Sequence, residues 1–81
     1  MHLKVMDINY IKKKYPNEHN SSDRWLTIVV EEIGEIAKAI QDGDINNFVE
    51  EVTQSIAALY LMCQDVINSK EIGTPTNSQA V

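Results

Sequence analysis

Apolar residues recur along this chain at helical rather than strand spacing. Ile8, Ile11 and Tyr15 fall three and four positions apart and Pro16 follows, which predicts a short helix over about residues 8 to 15 with Asp7 as its N-cap. A second run, "WLTIVVEEIGEIAKAI", gathers Leu26, Val29, Ile33, Ile36 and Ile40 on one stripe when residues are stepped by about 100°. That stripe is expected to face the core of a helix from about Asp23 to Gln41, capped by Ser21 or Ser22 at the end of the loop-like "PNEHNSS". The "DGD" at 42 to 44 predicts a turn, with Gly43 left-handed and Asp44 capping a third helix from about Ile45 to Asn68. The pair would form an αα-hairpin. The closing "KEIGTPTNSQAV" has no period and is expected to fray. No alternation, internal repeat or low-complexity tract suggests a strand or a second domain. The expected fold is therefore all-α: one compact domain of about three helices over residues 1–69, then a polar tail over 70–81.

The third helix complicates this picture. Phe48, Val52, Ile56, Leu59, Cys63 and Val66 form its main apolar stripe, while Ala58, Leu61 and Met62 extend the apolar surface to another side, where Glu51 and Gln54 also lie. A helix apolar nearly all round must be buried nearly all round, and three short helices cannot cover it. Self-association is the simplest remedy, so the fold is expected to be completed by oligomerisation.

Composition narrows the function classes. A hydrophobic content of 43% with 23% charge is that of a soluble globular protein. The formal charge of −5 disfavours direct nucleic-acid binding, which rests on clustered Lys and Arg. The only basic run, Lys12-Lys13-Lys14, is short. One cysteine makes no internal disulfide and no apolar stretch is long enough for a signal or a membrane span, so a reduced, cytoplasmic setting without a membrane is expected. Cys63, in "AALYLMC", is expected to be a small core side chain.

Carboxylates interrupt the best core-forming helix. On the wheel centred near Ile40, Glu32 lies about 80° away, at the core's edge, Glu35 about 140° and Glu31 roughly opposite. Glu32 and Glu35, three apart, can converge, with Trp25 on the same side as Glu32. Gly34 adds a puzzle, because an interior glycine is about 1 kcal/mol worse than alanine; a close approach of backbone or ligand would account for it. A plain solvated acidic face, with Lys38 beside Glu35, is the alternative. Glu51 and Gln54 supply a second pair at the same spacing, opposite the first if the hairpin packs antiparallel. Four oxygen-bearing side chains around one point suit Mg²⁺, which prefers octahedral oxygen coordination and commonly bridges carboxylates to phosphates. Glu31, beside the site, could orient or deprotonate a water for attack on phosphorus. His19 sits in the loop with no visible partner and His2 lies near the terminus, so neither is assigned a catalytic role.

"EEIGEIAKAI" followed by "FVEEVTQSIAALYLM" resembles the MazG-like, all-α nucleotide pyrophosphohydrolases, whose pattern is EExxE, a turn, then ExxD. The similarity spans roughly residues 7 to 68 and includes the aromatic-proline end of the first helix and the "RWL" entry to the second. The resemblance implies a homodimer or homotetramer that binds Mg²⁺, with Mn²⁺ as the alternative ion, and cleaves a nucleoside triphosphate, (d)NTP, to the monophosphate and pyrophosphate. By position it makes Glu32, Glu35 and Glu51 metal-binding acids and Glu31 the acid beside them. Gln54 stands where the general pattern has Asp, offering a neutral oxygen in place of a charge. Some short members of phage and bacterial type also have Glu-x-x-Gln. Many members continue into a further helix carrying basic residues, absent here, so phosphate contacts would fall to Lys12 to Lys14, Arg24, Lys38 or a neighbouring subunit, and Trp25 could stack on a nucleobase. Two other readings stay open: a weak or inactive protein of that fold that binds nucleotide or a partner in a regulatory role, and a plain helical assembly module.

Overall fold

The computed structural model describes residues 8–17 and 19–73, which form three helices and, among those residues, no strand: α1, Ile8–Lys14; α2, Ser22–Asp42; α3, Ile45–Ser69. The predicted cap at Asp7 lies outside the described residues, as does the tail beyond Gly73. Local chemistry accounts for the other boundaries. Ser21 is extended and its side chain accepts from the Arg24 N–H at 3.2 Å, capping α2. Gly43 is left-handed at φ 65°; its N–H reaches the Ile40 carbonyl at 3.1 Å and the Asp44 N–H reaches that of Ala39 at 3.0 Å. This is a Schellman ending, which needs a residue without a Cβ penalty at Gly43. Asp44 then caps α3 by accepting from the Asn47 N–H at 3.0 Å.

The long helices lie along one another as an antiparallel hairpin, and α1 packs across α3. The core is made of Ile11 from α1, Trp25, Ile28 and Val29 from α2, and Ala57, Ala58 and Leu61 from α3, with Ile8, Tyr10, Tyr15 and Met62 packed against it. The small side chains of Ala57 and Ala58 let the helices approach, and Ile11, fully buried, closes one end. No helix among the described residues is long and apolar enough to cross a membrane.

Both long helices turn a different face inward from the one their hydrophobic pattern marks. On α2, Leu26, Ile33 and Ile40 are 55%, 50% and 62% exposed, so the predicted core stripe is largely outside. Of that stripe Val29 is buried and Ile36 half-buried; the inward face is Trp25, Ile28, Val29, Glu32 and Ala39, centred near Glu32 and about 80° from the stripe's centre. On α3 the reversal is larger. The inward face is Glu51, Gln54, Ala57, Ala58 and Leu61, whereas Ile56, Leu59 and Cys63 of the main stripe are exposed and Phe48, Val52 and Val66 half-buried. Cys63 is therefore a surface residue, not a core one. The physical reason is supply: α3 carries two apolar arcs, and a seven-residue α1 with one neighbouring helix can cover only one.

Residues 70–73, after α3, are tied down. Lys70 ends α3 in the left-handed region at φ 58°, and the Gly73 N–H donates to the Ser22 hydroxyl at 2.6 Å, tying the end of α3 to the start of α2. Gly34 has nothing within 4 Å of where a Cβ would lie, so no protein backbone approaches it. The close contact expected there is not made within this chain.

Candidate functional site

Rotation of α2 by about 80° moves Glu32 from the expected edge to the middle of the seam, where it is 0% exposed. A buried carboxylate needs donors or positive charge. Its Oε2 accepts from Lys14 Nζ at 3.1 Å and from the Tyr15 hydroxyl at 3.4 Å, but its Oε1 has no donor. Facing it from α3 are Glu51 and, one turn later, Gln54, both buried; Glu51 Oε2 and Gln54 Oε1 also have no donor. The hydroxyls of Thr53 and Ser55 on the same helix bond back to the Glu50 and Glu51 carbonyls at 2.7 and 2.9 Å. Three orphaned oxygens thus belong to three of the four predicted ligands.

The fourth, Glu35, lies on the exposed rim one turn beyond Glu32, and its charge is felt at Glu51. Among the described residues no three His, Cys, Asp or Glu side chains close on one point as a ready metal cage. The arrangement is a buried Glu32–Glu51 pair with the Gln54 amide, open towards Glu35. Its donors are all hard oxygens and its buried orphans lack positive partners, which fits Mg²⁺ or Mn²⁺ in chemistry and in charge.

Burial and the neighbouring acids together displace the titration of Glu51. Burial raises the Glu51 carboxyl, and the charges of Glu32 and Glu35 and hydrogen bonding with Glu32 add to it, so that it is pushed up to about 7 with Lys14 opposing. The neighbouring acid charges therefore favour the protonated form of Glu51. Burial works against the Lys14 ammonium, yet hydrogen bonding to Glu32 and Tyr10 outweighs it and holds Lys14 well above its usual value. The Tyr15 hydroxyl is pushed up to about 12 by burial and by donating to Glu31 Oε2 at 3.0 Å.

Of the predicted phosphate contacts, Lys14 and Arg24 are at the site and Lys38 is not. The Arg24 guanidinium stacks on the Tyr15 ring at 5.7 Å and lies 3.9 Å from Glu31. Lys38 pairs with Asp42 at 3.1 Å, towards the far end of α2, rather than with Glu35. Trp25 is buried, and its indole N–H donates to Asp65 Oδ2 at 2.6 Å. This position ties its ring to the core.

The chain matches no family model, no curated protein and no solved structure at a significant level. The geometry and the motif spacing must carry the functional reading.

A second polar cluster was not foreseen from the sequence. Asp65 sits eleven residues beyond Gln54 on the same face of α3, and its carboxylate accepts from the Trp25 indole, from the Asn20 N–H at 2.8 Å and from His19 Nδ1 at 2.7 Å. His19 Nε2 also reaches Glu71 at 3.1 Å, so His19 has two partners where none was expected. Burial alone would raise Asp65, but these donors outweigh it and hold the carboxyl below its usual value; the same partners raise His19. An acid on the core face of α3 was the available signal. Beside it lies a cleft of about 390 Å³ lined by Tyr15, Pro16, Trp25, Leu61 and Asp65, with Lys12, Asn17 and Asn68. Tyr15 forms its wall and also touches Glu31 and Glu32, so cleft and acids share one ring.

Proposed function

We propose that this chain is a metal-dependent nucleoside triphosphate pyrophosphohydrolase of MazG-like kind, with Mg²⁺ or Mn²⁺ held by Glu32, Glu51, Gln54 and Glu35. The observation that carries the reading is the set of donorless buried oxygens on Glu32, Glu51 and Gln54, which are the residues the paired motif singles out. Most buried polar groups find a hydrogen-bond partner. A divalent cation would supply one to all three.

When bound, a divalent ion would offset the carboxylate repulsion and neutralise charge on a phosphate chain. Glu31, exposed and hydrogen-bonded by Tyr15, would accept the proton of a water whose oxygen forms the new bond to the α-phosphorus, while the α–β bridging oxygen leaves with pyrophosphate. Lys14 and Arg24 supply positive charge beside the acids. The cleft against Tyr15 has the size to take a nucleoside.

Self-association belongs to the same reading. By helix handedness, the outer stripes of α2 and α3 both turn towards the side of the hairpin away from α1. A second copy presenting the same two stripes would cover Leu26, Ile33 and Ile40 together with Ile56, Leu59 and Cys63. Large exposed apolar patches mark such interfaces. A homodimer is the minimal assembly.

Gln54 favours a second reading, in which the fold binds nucleotide or a partner with little turnover, because an amide contributes no charge to the ion. Pyrophosphate release from a panel of NTPs and dNTPs with Mg²⁺ or Mn²⁺, against a Glu32→Gln control, separates the two. Release that disappears in the control supports the enzyme. Gln54→Asp is expected to tighten Mg²⁺ binding, measured by calorimetry; an unchanged affinity would remove Gln54 from the ligand set.

A further inference from the structure

Lys14 is the last residue of α1, and its ammonium meets the one carboxylate of the site that is wholly out of solvent. It lies 3.1 Å from Glu32 Oε2 and sits over two aromatic rings, 5.6 Å from the centre of Tyr10 and 5.5 Å from that of Tyr15. Rings placed this way attract a cation by their electron-rich faces. The ammonium therefore has a built cradle rather than a chance surface contact.

It is nevertheless an incomplete partner. It reaches one oxygen of Glu32 and leaves Glu32 Oε1, Glu51 Oε2 and Gln54 Oε1 without donors. A single positive charge faces Glu32 and Glu51 in the seam and Glu35 on its rim. A divalent ion brings twice the charge and several oxygen positions to the same oxygens. Lys14 has a way out to solvent that Glu32 lacks, its side chain being 38% exposed against 0%. It ends a short helix at the surface, so the ammonium can move by side-chain rotation with Ile11 still buried.

We propose that Lys14 is the internal counter-ion of this site: it holds Glu32 when no divalent cation is present, gives up that carboxylate when one binds, and is then available to an anionic group of the substrate. This deepens the proposed function and rests on it. Two consequences follow. Divalent-ion affinity in the free protein is set by competition with the chain's own ammonium, because a site open only part of the time binds more weakly by that fraction. Binding of the ion also frees a cation next to it, so metal and a phosphate-bearing ligand favour each other by linkage.

The test uses MgCl₂ alone as the probe, at constant ionic strength, with binding followed by calorimetry and the Lys14 side-chain signal followed by NMR in ¹⁵N,¹³C-labelled protein. Lys14→Met is expected to bind Mg²⁺ about tenfold more tightly than the unmodified chain, as for a site whose open form was populated about one time in ten. It should also melt lower than the unmodified chain without Mg²⁺ and regain more on adding it. Lys14→Arg keeps the charge and grips the carboxylate with two N–H groups, so it should bind Mg²⁺ no more tightly than the unmodified chain. In the unmodified chain the Lys14 signal should move on saturation with Mg²⁺; this arm needs no variant to fold. Equal Mg²⁺ affinity in the unmodified and Lys14→Met proteins, or a Lys14 signal that does not move at saturation, overturns the counter-ion proposal and leaves the metal site standing. Absence of Mg²⁺ binding in both proteins overturns the proposal and the metal-dependent reading together.

Discussion

Two carboxylates on the inward face of α3 meet opposite fates. Asp65 accepts from an indole, a backbone amide and an imidazole, and is held below its usual titration range. Glu51, four turns earlier, has an oxygen with no donor and faces another acid, and is pushed up to about 7. Asp65 joins the loop before α2, the start of α2 and the end of α3; Glu51 meets across the seam only another acid, Glu32. A fold that can furnish three donors to one acid does not leave a second one bare for want of donors. The difference separates an acid that serves the structure from one that the structure accommodates.

Removing each acid should therefore act in opposite directions. Asp65→Ala strands the Asn20 N–H and the Trp25 indole, and is expected to lower stability by about 2–4 kcal/mol, read from the midpoint of urea unfolding. A loss under about 0.5 kcal/mol, the level of an ordinary surface change, would break the comparison. Glu51→Gln keeps the shape and removes the buried charge, so without metal at pH 8 it should raise stability by about 1–3 kcal/mol while abolishing stabilisation by Mg²⁺.

The pH profile of that pair follows from its sign. The folded pKa of Glu51, about 7, lies above its unfolded value near 4.5, so the folded state favours the proton. Its contribution is fully present below about 4.5 and is lost as pH rises through 7. Metal-free protein should lose stability across that window, and the Glu51→Gln profile should be flatter there. A profile unchanged by the substitution would show that another group carries the dependence.

His19 sharpens the comparison from the other side with a smaller effect. Its pKa is raised by Asp65 and Glu71, so its stabilisation is complete below the unfolded value of about 6.5 and disappears as pH rises through the folded one. That of Asp65 is present above its unfolded value near 3.8 and is lost only as pH falls through the lowered folded one. The His19–Asp65 contact is strongest between these limits. The His19→Gln melting profile should lose the decline above pH 6.5 and retain the acid-side decline set by Asp65. The smallest effect belongs to Gly34→Ala, which fills open space on the exposed surface of α2 and should add about 0.5–1 kcal/mol of stability. If that variant is stabilised but loses Mg²⁺ or nucleotide binding, a ligand makes the close approach that the chain itself does not.

Much of the fold was legible because its boundaries are local. Ser21, Gly43 and Asp44 act on neighbours within a few residues, and the helices begin and end within a residue or two of where those signals put them. The inward faces were not legible. Leu26, Ile33 and Ile40 outrank Trp25, Ile28 and Glu32 in hydrophobic regularity, but periodicity measures what an arc would gain by burial, not which arc finds a partner. In the site, the spacing of Glu32, Glu51 and Gln54 could be read because each pair lies within one helix. The pairing of Lys14 and Tyr15 with the acids, and the partners of Asp65, could not, since these contacts span 16 to 46 residues of sequence between groups that only folding brings near.

The anchoring of α1 has a mechanical consequence. Its described residues are held on the core by Ile11, whose side chain is fully enclosed, with Ile8, Tyr10 and Tyr15 packed beside it. Lys14 stands one turn beyond. α1 is then a lever with its pivot in the core and its working end on the acids. Any change that lets the pivot slip, even a methylene trimmed from Ile11, shifts the ammonium relative to Glu32, and side-chain volume in the interior is converted into charge balance at the seam.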